Sequence, residues 1–219
     1  MSSSINASFA SVVLAAGSAS RLGQPKALLR WQGESLLERT VQLAQIAGPS
    51  TCLLALGANA ESLWRTWQQE ATAKALVDQV RRLDVTHWQL GMGASLQAAV
   101  REIYEKTDIS GLLVLLVDQY RIEPAFIDAL VKRWRAQPNF AACACYRDSQ
   151  DDIRGAPAIL PRSWFNEILS QPACDVGARA LLRSRRDVNV LALQAPGDVD
   201  LPRDLKAFAS KSSRSPPID

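Results

Sequence analysis

The run LLVLLV at residues 112–117 admits few structural settings. A strand with one wet face alternates apolar and polar side chains. A strand without alternation is buried on both faces, at the centre of a sheet covered by helices. Residues 112–117 are also far too few to cross a bilayer. Further short apolar runs predict strands at 11–14, 51–56, 75–77, 111–117, 140–146, 156–160 and 188–193. Between them, helical spacing covers 35–47, 60–70, 95–105, 124–135, 162–170 and 177–183, and Ser35 with Glu38 forms a capping-box pattern. Strands that alternate with helices need crossover connections. The predicted fold is therefore α/β: a single-domain, Rossmann-like three-layer sandwich with a mostly parallel central sheet.

A chain of 219 residues can bury one full core, and 47% apolar with 21% charged residues sets it apart from disordered chains. No repeat or linker divides it, so one domain is expected over 9–209. A flexible N-terminus (1–8) and a disordered, proline-rich tail (210–219) are expected to flank it. The start, MSSSINASF, lacks the basic and apolar regions of a secretory signal, so a cytoplasmic location is expected. The net charge is only +3. The basic clusters Arg81/Arg82, Arg133/Arg135 and Arg183/Arg185/Arg186 read as solvated faces, and no basic–aromatic stripe points to nucleic acid. Neither nucleic acid nor a membrane is an expected partner. Four cysteines cannot staple a chain this long, and Cys143-x-Cys145 with a lone His87 is a poor zinc pattern. Buried reduced thiols are expected.

In a sheet of this kind ligands bind beyond the carboxyl ends of the strands, so the segments after Leu14 and Val117 come first. The first passes from an apolar strand into Ala15, Ala16, Gly17, Ser18, Ala19 and Ser20, then brings in Arg21 and Lys26. Small residues let backbone N–H groups approach an anion, Gly17 and Gly23 can supply positive φ, and the two cations suit a polyphosphate. Neither a Walker A loop nor a dinucleotide fingerprint is present. The second segment places Asp118 where a buried strand emerges, which suits a carboxylate that holds magnesium together with phosphate oxygens. A helix-capping Asp is the plain alternative.

The segment LAAGSASRLGQPK resembles LAAG-x-x-x-R-[ML]-G-x-x-K, which opens the NTP-transferase branch of the GT-A-like nucleotidyltransferases. It is most similar to the molybdenum-cofactor cytidylyltransferase group. The resemblance implies that Leu14, Ala15, Ala16, Gly17, Ser18, Ser20, Arg21 and Lys26 wrap the triphosphate, with Arg21 and Lys26 catalytic. Guanylyl relatives read LAGG, so Ala16 favours CTP over GTP. Asp118 and Gln119 match the family's D-Q-P, whose Asp binds the metal, although Tyr120 replaces the proline. GDVDLPRDL resembles D-[IV]-D-T-P-E-D-L, which makes Asp200 the preferred second metal ligand and Asp198 the next. A capping role for Asp200 stands equal beside it.

HWQLGMGASL matches W-x-x-G-M-x-x-S-L at Trp88, Gly91, Met92, Ser95 and Leu96, which sets Ser95, at a predicted helix start, beside the nucleotide. Val85 stands where relatives carry Asn. DIRGAPAI resembles G-H-P-[VI] with Ala156 for His, and ACDVGARALL resembles G-D-x-G-A-R-x-L-L. These place Gly155, Pro157, Asp175 and Arg179 against the acceptor, with an ordinary capped helix as the alternative for the last two. The matches run in order from Ser11 to Leu205.

The resemblance implies a magnesium-dependent enzyme that transfers CMP from CTP to a phosphorylated acceptor. That acceptor is molybdenum-loaded molybdopterin, and the protein partner a molybdenum hydroxylase or its maturation factor. Alternatives are a sugar or polyol phosphate acceptor, a non-catalytic cofactor-delivery protein, and a redox protein, since some relatives carry oxidoreductase names.

Overall fold

The computed structural model describes residues 7–18, 25–69, 74–148, 151–175, 177–194 and 197. The tail 210–219, Ser20, Arg21, Gly23, Asp198, Asp200 and most of the predicted flexible N-terminus lie outside the described residues. The first described element is β1 (Ser8–Ala15), which begins at the last residue of the segment expected to be flexible, and Ala7 before it is already buried. A 3-10 turn (Lys26–Leu28) and a small ribbon of β2 (Arg30–Trp31) and β3 (Glu34–Ser35) lead to α1 (Leu36–Ile46). Then follow β4 (Thr51–Leu56), α2 (Ala60–Gln69), α3 (Lys74–Val77), β5 (Val80–Asp84), α4 (Met92–Tyr104), β6 (Ile109–Leu116) and α5 (Pro124–Ala136). The C-terminal part adds β7 (Ala141–Asp148), β8 (Asp151–Pro161), α6 (Phe165–Ser170), α7 (Arg179–Ser184) and β9 (Val188–Ala192).

The main sheet has the order β5-β4-β1-β6-β8-β7-β9. β5, β4, β1 and β6 pair in parallel, as do β7 and β9, while β8 runs antiparallel to both of its neighbours. The LLVLLV strand is central, as its composition demands. Alternate residues split between two cores. Val13, Leu113 and Leu115 pack with Leu37, Val41 and Trp134 on the α1/α5 side. Val12, Leu112 and Val114 pack with Leu96, Val100 and Trp164 on the α4/α6 side. Each such fully buried side chain contributes roughly 1.5–3 kcal/mol. The predicted cap of α1 is present: the Glu38 N–H donates to Ser35 Oγ at 3.1 Å.

Four expectations are corrected. The strand expected at 75–77 is the end of α3, and the edge strand follows as VRRLD. Its two arginines hide the strand pattern because an edge needs few apolar residues. β8 starts at Asp151, five residues before the expected 156, because DDIRG pairs with the solvent-facing end of β7. α4 starts at Met92 with Gly91 (φ 93°) as its N-cap, so Ser95 lies within the helix and does not cap it. Cys52 and Cys143 are buried, their thiols pushed up by burial to about 11 and about 12, but Cys174 is exposed, and all four are free. Members of two of the basic clusters bind neighbouring carboxylates: Arg82 pairs with Glu61 and Asp84, Arg81 with Glu102, and Arg185 with Glu167 and Asp187.

Candidate active site at the strand ends

β1 and β6 lie side by side in parallel with Leu14 opposite Leu116, so both strands leave the sheet at one level. The Val117 N–H donates to the Leu14 carbonyl at 3.3 Å, which carries the pairing one residue further. The loop after Ala15 and the carboxylate of Asp118 are thereby brought together. Lys26, at the head of the 3-10 turn, closes the group: its Nζ lies 3.0 Å from Asp118 Oδ2, with the side chains 19% and 23% exposed. Asp118 does not cap the following helix, since α5 begins with Pro124 in its first turn and Glu123 at its N-cap. The carboxylate therefore faces the ligand crevice.

A cleft of about 460 Å³ opens over this pair. One wall is the backbone of residues 15–18 and the other is Ala58, Trp88, Gln89 and the start of α4 at Gly91, Met92 and Ser95. Gly17 does not take the positive φ expected of it, and a Cβ there would meet nothing within 4 Å. Open space stands before this backbone, as close approach of an anion requires. Gly57 is the reverse case: a Cβ would lie 2.5 Å from Trp88 Cβ and 2.7 Å from the Ala16 carbonyl oxygen. The Ala58 N–H holds that carbonyl at 3.0 Å, so the first loop, the end of β4 and Trp88 form one packed unit. Val85, expected near the base, is buried in the α4-side core and does not line the cleft.

A second cavity of about 160 Å³ adjoins the first through Leu14, Met92, Leu116 and Asp175. Of the four residues that the resemblance assigns to the acceptor, Gly155, Asp175 and Arg179 line it, whereas Pro157 does not. The pairing of β7 with β8 jumps from Cys143↔Ala158 to Ala144↔Gly155, which leaves Ala156 and Pro157 out of register, joined by a cis peptide. The freed Ala156 carbonyl accepts from Gln119 Nε2 at 3.2 Å. Arg179 Nη2 reaches Tyr146 Oη at 3.5 Å. The segment 173–175 locks onto the start of α4: the Gly93 N–H donates to the Cys174 carbonyl at 2.7 Å, and a Cβ on Gly91 would strike Asp175. α7 takes no side-chain cap and Ala178 is its N-cap, so Asp175 is not its cap.

Of the predicted residues, Leu14, Ala15, Ala16, Gly17, Ser18, Lys26, Ser95 and Asp118 share the large cleft. Ala58, Gln89 and, in the small cavity, Gln119, Tyr146 and Leu182 were not predicted as site residues. Gln89 lies inside the W-x-x-G-M match and could have been found there. Leu182 lies likewise inside the G-D-x-G-A-R-x-L-L match, whereas Tyr146 carries no such signal. Among the described residues no three His, Cys, Asp or Glu side chains cluster as a metal site; Asp118 and Asp175 are the described carboxylates that line the large cleft.

The model of the MobA-like NTP transferase domain matches residues 11–190. The chain is 31% identical over 176 residues to nicotine blue oxidoreductase of Paenarthrobacter nicotinovorans, which spans 80% of this chain and 81% of the relative. The structure of Rv0371c from Mycobacterium tuberculosis H37Rv superposes with a TM-score of 0.72 at 27% identity, covering 93% of this chain and 98% of that one. A manganese complex of Rv0371c gives 0.70 at 25% identity, with the same coverage. No helix among the described residues is long and apolar enough to cross a membrane.

Proposed function

The chain belongs to the family of MobA-like NTP transferase domains and is a nucleotidyltransferase, and from that premise we propose that it transfers CMP from CTP to molybdenum-loaded molybdopterin. The observation that carries the reading is the Lys26–Asp118 pair, 3.0 Å apart where β1 and β6 emerge, under the open backbone of Gly17. A phosphate oxygen of the acceptor attacks the α-phosphorus in line, a P–O bond forms, and the bond to pyrophosphate breaks. The acceptor brings the nucleophile, so catalysis is positioning plus charge stabilisation. Residues 15–18 cradle the phosphates, and Lys26 shifts from Asp118 to the charge that grows at the α-phosphate. Arg21, outside the described residues, is assigned the same task. Gly155, Asp175 and Arg179, which line the small cavity, are assigned to the acceptor, Pro157 is left out of that set, and free thiols suit a reducing compartment such as the cytoplasm.

Asp118 is the metal carboxylate of this reading, with Asp200 or Asp198 as the second. The fit is good, since magnesium takes one or two carboxylates and completes its shell with phosphate oxygens and water. Bound there, the ion neutralises phosphate charge. The manganese held by Rv0371c supports divalent-metal use.

Competition between labelled CTP and each unlabelled NTP tests the base. CTP is expected to bind at least tenfold more tightly than GTP, about 1.4 kcal/mol. Equal displacement by GTP or ATP removes the cytidylyl assignment. Pyrophosphate release with molybdopterin, sugar phosphates and polyol phosphates then identifies the acceptor, and binding without turnover would mark a delivery protein. One observation favours a second reading, the oxidoreductase name of the curated relative. Tight binding of a nicotinamide or flavin in the same titration would support it.

A further inference from the structure

We propose that Arg39, on α1, is the positioning residue that sets Asp118 for metal and nucleotide, an inference that rests on the role assigned to Asp118 above. Asp118 stands in the connection from β6 to α5, which has no regular structure of its own. Arg39 reaches that connection across more than eighty residues of sequence. Its Nε donates to the Tyr120 carbonyl at 3.1 Å and its Nη2 to the Ile122 carbonyl at 2.9 Å. A weaker contact runs from Nη2 to Glu123 at 3.4 Å. The guanidinium side chain is only 16% exposed and Glu123 is 71% exposed, so the two carbonyl bonds carry the interaction.

A planar fork that bonds two carbonyls of one short segment fixes its orientation as well as its position, which a single donor cannot do. Two further contacts hold the same segment. Gln119 Nε2 binds the Ala156 carbonyl of β8, and the Tyr120 ring packs on Trp31 with centroids 4.4 Å apart. The turn bearing Asp118 is thus braced from β8 on one side and from α1 on the other. The partners of Arg39, namely Tyr120, Ile122 and Glu123, do not line the cleft. Arg39 acts through the backbone two to four positions beyond Asp118.

Arg162 provides an internal control. It too donates to backbone carbonyls, those of Tyr104, Lys106 and Ile109, but at the opposite end of β6 from the cleft. The test titrates full-length Arg39→Ala, Arg39→Lys and Arg162→Ala with CTP by calorimetry, with and without magnesium chloride, beside thermal melts. Arg39→Ala is expected to lose about tenfold or more of the magnesium enhancement, while metal-free CTP binding stays within about threefold. Arg39→Lys keeps the charge without the fork and should fall between. Millimolar guanidinium ion should restore the enhancement in Arg39→Ala. Arg162→Ala should melt earlier and keep the enhancement. A folded Arg39→Ala with wild-type enhancement overturns the proposal. Should alanine prevent folding, unchanged enhancement in Arg39→Lys does the same. A wild type indifferent to magnesium overturns the reading of Asp118, and the role of Arg39 falls with it.

Discussion

The parallel strands β5, β4, β1 and β6 and the group β8, β7 and β9 build two different walls at the same end of the sheet. On the parallel side, two strand ends deliver an open backbone, a lysine and a carboxylate to one cleft. On the mixed side, the antiparallel β8 loses register against β7, and the cavity is lined mostly by aliphatic side chains, with Gln119, Tyr146, Asp175 and Arg179 as its polar groups. On the reading proposed above, the first wall suits chemistry by charge and the second suits recognition of the acceptor. Joined through Leu14, Met92, Leu116 and Asp175, they suit the two substrates of a transfer reaction.

The sharpest way to break this division is at Lys26. Lys26→Ala should lower the rate of pyrophosphate release by about 10² or more, because one donor that stabilises transition-state charge is typically worth ~3 kcal/mol. The fold should survive, since the lysine side chain lies at the edge of the cleft, outside both cores. Stopped-assay pyrophosphate measurement beside a thermal melt checks both halves. A rate within about threefold of wild type would remove Lys26 from catalysis and leave the charged wall without its main actor.

A second variant tests whether the first wall is as rigid as its packing implies. Gly57→Ala would put a methyl group 2.5 Å from Trp88 Cβ and 2.7 Å from the Ala16 carbonyl, where backbone or a packed ring must move. Overpacking of this kind costs typically 1–3 kcal/mol. The expected result is a lower melting temperature together with nucleotide affinity weakened by about tenfold, about 1.4 kcal/mol. If affinity holds while stability falls, the Ala16–Ala58–Trp88 unit does not shape the nucleotide side.

The two walls also differ in how far the sequence reveals them. LLVLLV announces a central strand, and Asp118 at its end announces a site, because a carboxylate there is costly without a partner. Lys26 follows from its spacing after Gly17, although its contact with Asp118 spans 92 residues and needed the fold. Edge strand β5 was missed because its arginines obscure any alternation, and the true start of α4 because Gly91 turns the chain before Ser95. The small cavity was legible only by resemblance. Its shape depends on a slip of register at Cys143/Ala144, and no local pattern reports how two strands fall out of step. Arg39 was silent for a related reason: its partners are carbonyls, which every residue carries.

The smallest expected effect belongs to Arg179, and it discriminates most finely between the walls. Its guanidinium lines the small cavity and reaches Tyr146 Oη at a long 3.5 Å, so it is loosely held and available to an anionic group. It does not line the large cleft. If the second wall receives the acceptor, Arg179→Ala should raise the acceptor's KM about tenfold, the worth of one charge-assisted hydrogen bond at ~1.4 kcal/mol. The dissociation constant for CTP should not change, and kcat at saturating acceptor should fall little, because uniform binding is lost without loss of transition-state contacts. Initial rates over a grid of both substrates separate these terms. A loss confined to kcat would move Arg179 into the charged wall. An effect on CTP alone would mean that the nucleotide extends across Leu14 and Met92 into the small cavity, and the acceptor would then have to enter from elsewhere.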